Sequence, residues 1–514
     1  MKPVHTLLFL LAVAALSAIT MHFFPKDGIQ VTENFTLVFP KFEDFKPDTT
    51  EEHRIEDIEA YLEAYDDVFE ETEVDSTAIK DSLARIQAER RKKLLRIQWK
   101  GGDRSSLEPF FSSLTGKAPD TSSIRVMHYG DSQIEADRIT SYLRNEFQKE
   151  FGGEGPGLLP VVQTIETSAI VQRNSENWHI YSLIGKRDTM VTHDRYGLRG
   201  TFAQFTPIAP DSLLKDSATT AWVEFEPSPY TYNRAKRYGQ VKLFYGNVVD
   251  TTTVSVFLND SLIQTDTLQL TIGNALKVWN FESTPEKLRF VFKGKRSPEF
   301  YGFSLQSKTG VHMDNIAMRG SSGTIFRRIS SGQLDSQYEE LNVKMILLQY
   351  GGNTVPYIED STKAANYGRW FASQIRFLQR LNPDVAMILI GPSDMATKVG
   401  TEFKTYPFLE LVRDELKEAA FETGIGFWDL YEVMGGKNSM QSWVEAEPPL
   451  AGSDYVHFTG KGARRVAELF RKALWKDFEE WKTSEKTTAK DTTKKSKPNV
   501  PVDSTKTEKP NIIQ

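Results

Sequence analysis

The chain has 514 residues, 39% hydrophobic and 11% aromatic, enough apolar material for more than one packed domain. Its net charge of −6 offers no basic field to recruit nucleic acid. It contains no cysteine, so disulfides, thiol catalysis, zinc–thiolate sites and lipidation of an N-terminal Cys are all excluded.

Residues 1–25 predict a signal peptide or an N-terminal membrane anchor. Lys2 precedes the apolar run from Leu7 to Ile19, and the segment closes at Pro25. A short basic start and a short apolar run suit a secretory signal. Ala12-Val13-Ala14 falls too early for a cleavage site, while the run is short for the ~20 residues of a membrane span. A buried core helix is the plain structural alternative. Either targeting form places the rest of the chain outside the cytoplasm, in a periplasm or cell envelope, secreted or anchored.

Residues 26–120 predict an extended linker to about residue 50, followed by a charged helical segment from Glu51 to about Gly101. The apolar period there is not sustained over several heptads, which favours a helical hairpin or stalk over a long coiled coil. Residues 121–157 begin an α/β pattern: a buried strand from Ile124 to Tyr129, then a helix through Ile134, Ile139, Leu143 and Phe147. Residues 158–310 change to short alternating runs such as AWVEFEP, GQVKLFYG and EKLRFVFKG, broken by Gly, Asn, Asp and Pro. That is the pattern of a sandwich or barrel, and an inserted β-sandwich is the simplest account. Residues 311–480 resume the α/β alternation, with strands VKMILLQY, VAMILIG and GFWDL and helices around Trp370–Leu381 and Phe408–Thr423. Residues 481–514, rich in Lys, Thr, Ser and Pro, predict a disordered solvated tail. The expected fold is therefore α/β, a parallel sheet with helices on both faces, interrupted by an inserted β-sandwich.

Several chemical positions recur at strand ends. Gly130-Asp131-Ser132 closes the first α/β strand, Gly320 follows the insert, and Gly351-Gly352-Asn353 follows MILLQY. Asp454-Tyr455-Val456-His457 precedes a final amphipathic helix. Each has a plain structural reading: Asp131 and Ser132 as helix caps, the glycines as turn residues, His457 as a hydrogen-bonded histidine under the last helix. Together they supply an acyl-transfer site. Ser132 is a weak nucleophile until a base takes its proton. His457 is the candidate base, and Asp454, three residues earlier, can orient its imidazole. The candidate oxyanion donors are the N–H groups of Ser132 and Gly320 and the side-chain amide of Asn353.

These blocks, in this order, resemble the SGNH/GDSL hydrolase family, whose motifs are Gly-Asp-Ser, a lone Gly, Gly-x-Asn and Asp-x-x-His. The resemblance covers about residues 121–157 and 311–475. Thr354 follows Asn353 where the family often has Asp, and Gln133 follows Ser132 where simpler members have Leu. Both departures point to the extracytoplasmic branch that acts on acetylated carbohydrates, where a sandwich resembling a carbohydrate-binding module interrupts the catalytic domain. The resemblance implies a flavodoxin-like sheet and a serine O-acetylesterase without cofactor or metal. Its catalytic residues would be Ser132, His457 and Asp454, supported by Gly130, Asp131 and Gly352. The implied partners are an O-acetylated glycan, peptidoglycan foremost, and envelope acetylation machinery. An O-acetyltransferase with the same triad, or a non-catalytic glycan-binding envelope protein, are the alternatives.

Other features read more weakly. GGEGPG at Gly152–Gly157 imitates a phosphate loop but follows a helix, and is expected to be a flexible turn bordering the active site. Asn34-Phe35-Thr36 matches a glycosylation acceptor, a pattern short enough to arise by chance. No histidine shows HExxH or His-x-His spacing. Trp178, Trp222, Trp279, Tyr230 and Tyr232 are candidates either for the sandwich core or for stacking on sugar rings.

Overall fold

The computed structural model describes residues 25, 29–32, 35–37, 95–117, 122–209 and 217–495, with side chains described between 95 and 485. The chain divides into two units, Met1–Glu71 and Thr72–Gln514. In the first, Ile29–Thr32 pairs antiparallel with Phe35–Leu37. This hairpin replaces the extended linker expected there; apolar residues alternate on either side of residues 33–34, which favours pairing. The signal or anchor segment at residues 1–24, Asn34, and the charged stretch of residues 51–94 lie outside the described residues. Among the described residues no helix is long and apolar enough to cross a membrane.

The second unit is built on a parallel five-stranded sheet: β1 (Ser123–Gly130), β2 (Gly310–Ala317), β3 (Val343–Gln349), β4 (Ala386–Ile390) and β5 (Gly426–Trp428). Its strand order is β2-β1-β3-β4-β5. Both faces are covered, as the near-continuous apolar strands require. On one face Met127, Tyr129, Ile346, Leu348, Met387 and Leu389 pack against helices α2 (Ser331–Leu341), α3 (Ser361–Leu381) and α4 (Leu409–Glu422). On the other, His128 bonds Thr140 at the start of helix α1 (Thr140–Phe151), and the long helix α5 (Gly460–Lys495) packs on α1.

The insert between α1 and β2 is a sandwich of a five-stranded and a six-stranded antiparallel sheet. Its core is aromatic, with Phe225, Phe290, Phe292, Phe300 and Phe303 fully enclosed. Trp178 and Trp279 join that core, whereas Tyr230 is 87% exposed. The last sandwich strand, Glu299–Gln306, turns directly into β2. A buried polar cluster ties the two parts together there. Arg125 of β1 donates to Asp314 of β2 at 2.9 Å, to Ser304 at 3.0 Å and to Gln306 of the sandwich.

Three expectations are corrected. Residues 95–117 are part of the domain rather than a linker or charged segment. Gln98 and Phe427 exchange backbone bonds of 2.7 and 2.9 Å at the free edge of β5, and Ile97, Trp99, Phe110 and Phe111 are buried. Apolar Ile97 and Trp99 supply the cover that an edge strand needs. The tail expected from 481 is helical to Lys495. Trp481 stacks on Phe478, Lys117 pairs with Glu485 at 2.6 Å, and the sequence has no Gly or Pro between Gly462 and Pro498 to stop the helix. Finally, Gly152–Gly157 does not line the cleft beside Ser132. A Cβ at Gly153 would fall 2.2 Å from the Val311 carbonyl, at the opposite end of β2 from the Ser132 edge.

The buried ionic cluster generates a stability prediction. Arg125→Met leaves Asp314 buried without its cation and is expected to lower the unfolding free energy by about 3–5 kcal/mol in urea titrations. Arg125→Met combined with Asp314→Leu recovers part of that loss; a double variant no better than the single would refute the charge-pair account.

Candidate active site

A sheet in this order reverses its chain connections between β1 and β3, and such a switch point opens a crevice at the carboxyl ends of the strands. Ser132 follows β1 and Asn353 follows β3, so both stand at that crevice. Gly130 is required at the end of β1, because a Cβ there would lie 3.0 Å from Ile134 and 3.1 Å from the Gln349 carbonyl.

The turn after Gly130 sends the Asp131 and Ser132 side chains to different partners. Asp131 is the cap: its Oδ1 accepts from the Gln133 N–H at 2.9 Å. Ser132 is turned elsewhere, with its Oγ 2.8 Å from His457 Nε2. The helix expected from Ser132 onward is a 3-10 segment, Ser132–Asp137, broken by extended Glu135 and left-handed Ala136, and α1 starts only at Thr140.

His457 Nδ1 lies 2.7 Å from Asp454 Oδ2. An ionised carboxylate only accepts, so Nδ1 carries the hydrogen and Nε2 is left to accept from Ser132. Asp454 Oδ1 also accepts from the Val456 and His457 N–H groups, both at 3.0 Å. Partial burial opposes its ionisation, but these bonds from His457 and Val456 outweigh it and hold the carboxyl below its usual range.

Residues outside the expected set hold this loop in place. Arg138 donates to the Ser132 carbonyl at 2.5 Å and the Phe458 carbonyl at 2.9 Å. Gln133 donates to the Val456 carbonyl at 2.6 Å. Tyr455, at φ 56°, stacks on Phe403 with ring centroids 3.6 Å apart. Phe403 belongs to a hairpin, Ala396–Val399 with Glu402–Thr405, that the sequence patterns did not indicate. Gln133 was visible as the residue after Ser132; Arg138 and Phe403 carry no local signature.

Asn353 Nδ2 donates to Asp131 Oδ2 at 3.1 Å and to the Ser321 carbonyl at 3.2 Å. Both amide hydrogens are thus engaged, and one must be released to meet an oxyanion. Gly320 follows β2 at φ 75°, and its N–H makes no hydrogen bond among the described residues. Gly352 lies against Asp131, where a Cβ would stand 3.9 Å from Oδ2. A cleft of about 180 Å³ opens beside Ser132, lined by Asn353, Gly352, Tyr357, Met395 and His457 among others. Gly320 and Asp454 are not among its lining residues. Among the described residues no His, Asp and Glu cluster could hold a metal ion.

No family model matches the chain, and no curated protein matches it. Its fold is similar to that of a solved structure described as a peptidoglycan O-acetylesterase in action, at 5 min. The TM-score is 0.57 at 18% identity, over 75% of this chain and 99% of that one. A family two carbohydrate esterase from Clostridium thermocellum, in complex with cellohexaose, aligns over 55% of this chain and 98% of its own. The TM-score there is 0.23 at 10% identity. The first similarity shows the α/β fold with its inserted sandwich.

Two predictions follow from the geometry. Burial raises the Asp131 carboxyl to about 6, against 3.8 in the unfolded chain, despite the bonds from Gln133 and Asn353. The folded state then binds the extra proton between those values, so this group's contribution to stability falls as pH rises from about 4 to about 6, by up to ~3 kcal/mol. Asp131→Asn should flatten that window in unfolding free energies measured against pH; a wild-type minus variant difference that is level from pH 4 to 6 would contradict it. Separately, a fluorophosphonate should label Ser132 alone, as read by mass spectrometry. Arg138→Leu should slow labelling about tenfold through misplacement of the turn, with Arg138→Lys restoring part of the rate.

Proposed function

We propose that this chain is a serine esterase that removes O-acetyl groups from a cell-envelope or extracellular polysaccharide, with peptidoglycan the foremost candidate. The observation that carries the reading is the unbroken relay from Ser132 through His457 to Asp454, at 2.8 and 2.7 Å. The similar fold of a protein described as a peptidoglycan O-acetylesterase supports it, as does a cleft suited to a small acyl group.

In the proposed reaction Ser132 Oγ attacks the acetyl carbonyl while His457 Nε2 takes its proton, and Asp454 stabilises the imidazolium. The tetrahedral oxyanion is held by the Ser132 and Gly320 N–H groups and by Asn353, which gives up its bond to Asp131 or Ser321. Collapse expels the sugar oxygen, protonated by His457, and leaves acetyl-Ser132. Water, deprotonated by His457, then releases acetate and restores the serine. The proposed setting is extracytoplasmic, reached through the N-terminal apolar segment. The inserted sandwich is the proposed glycan-holding part, and envelope acetylation machinery the proposed source of substrate.

Acetate release from O-acetylated peptidoglycan and from an aryl acetate tests the reading. Ser132→Ala should abolish both, and Asn353→Ala should lower kcat/KM by about 10²–10³. Acetyl groups recovered on added sugar acceptors instead of as acetate would make the chain a transferase. Wild type as inert as Ser132→Ala on every donor would refute an acyl-transfer function.

A further inference from the structure

A second cavity, of about 100 Å³, lies on the seam between the sandwich and the parallel sheet. Asn315 and Ala317 of β2 line one side, the Glu135-Ala136-Asp137 turn another, and insert residues between Pro156 and Ala169 the rest. That turn is the one that carries Ser132. Ala136 and Asp137 both hold positive φ, 57° and 64°, conformations that non-glycine residues adopt at a cost. The seam cavity and the cleft beside Ser132 therefore share one six-residue segment, Ser132–Asp137.

Four charged side chains line the cavity, and three are paired. Arg144 grips Asp137 through two bonds of 2.6 and 3.0 Å, and Glu135 is paired with Arg319. Arg199 differs. It is half-buried, its Nη1 donates to the Asn315 carbonyl at 3.0 Å, and it has no carboxylate partner among the described residues. Asp314, the carboxylate whose field it feels, spends its Oδ1 on Arg125 and on the Leu158 N–H, and no hydrogen bond joins either of its oxygens to Arg199 among the described residues. Burial lowers the Arg199 guanidinium to about 10, only partly offset by Asp314. A cation partly withdrawn from water, with no carboxylate in contact with it, is costly, and a planar guanidinium can donate paired bonds to a carboxylate. The volume admits a substituent rather than a whole sugar ring.

We propose that the seam cavity is a subsite in which Arg199 binds a carboxylate carried by the glycan, so that the acetyl ester attacked at Ser132 sits on an acidic polysaccharide. The binding step stands by itself; its link to turnover rests on the esterase reading above. Two kinds of sugar carry such a group, a uronic acid on its ring and N-acetylmuramic acid on its ether side chain.

Calorimetry on the full chain carrying Ser132→Ala, with tetragalacturonate and with N-acetylmuramate, each against its methyl ester, tests the subsite. At least one acid should bind roughly tenfold or more tightly than its ester, and which acid does so names the source. Arg199→Gln should erase that preference. Ile165→Glu, at the exposed margin of the cavity, leaves Arg199 intact but should erase it too by supplying a competing carboxylate, whereas Ile165→Gln should keep it. Neither acid exceeding its ester, or a preference that survives both Arg199→Gln and Ile165→Glu, overturns the proposal. Aryl acetate hydrolysis by the unmodified chain, run alongside, separates the two readings: an inert chain that prefers the acid refutes the esterase and keeps the subsite, and an active chain with no preference does the reverse.

Discussion

The hydrogen bond between Ser132 and His457 joins chain segments 325 residues apart, and much of the second unit serves to bring those two atoms within 2.8 Å. A serine hydroxyl gains nucleophilic character only from a base held at that distance. The parallel sheet supplies the fixed end of the pair: β1 is buried from Ile124 onward and stops at a glycine that lets the turn fold over β3. The other end is a short loop, and loops do not hold such tolerances unaided. Arg138 and Gln133 tie the loop to the Ser132 turn, and the Phe403–Tyr455 stack presses on it from the hairpin side. Asp454 does double work, orienting the imidazole while capping the N–H groups of its own loop.

The inserted sandwich is compatible with this arrangement because its attachment is rigid and polar. Arg125, Asp314, Ser304 and Gln306 form a buried cluster across the join, a kind of contact that is costly when incomplete and therefore intolerant of sliding. Close backbone crossing at Gly153 and Val311 adds a steric stop at the far end of β2. The seam that results lies beside the Ser132 turn, the placement that the proposed subsite requires.

What could be read from the sequence was what depends on neighbours in the chain. Strand β1 with Gly130-Asp131-Ser132, and the Asp454–His457 spacing, are local patterns; so are the alternating sandwich strands. The sheet and the interruption followed from them. The Ser132–Asp137 segment misled, since Ile134 and Ile139 keep a helical period through a stretch that Glu135 and Ala136 bend out of the helix. Phe403 and the Arg138 bond to Phe458 were invisible because their partners lie far away along the chain. Residues 95–117 were masked by the charged stretch before them, although Ile97 and Trp99 fill the edge beside β5.

The position of the insert also sets the order in which the site is completed during synthesis. Strand β1 and the Ser132 turn emerge early, but β2, their neighbour in the sheet, follows only after the whole sandwich has been made. Pairing of such distant strands is slow, because loop closure must precede any gain from contact. His457 arrives later still, just ahead of the long helix α5. A growing chain thus carries Ser132 through 325 further residues before His457 is made, so the bond between them can form only as the last helix begins.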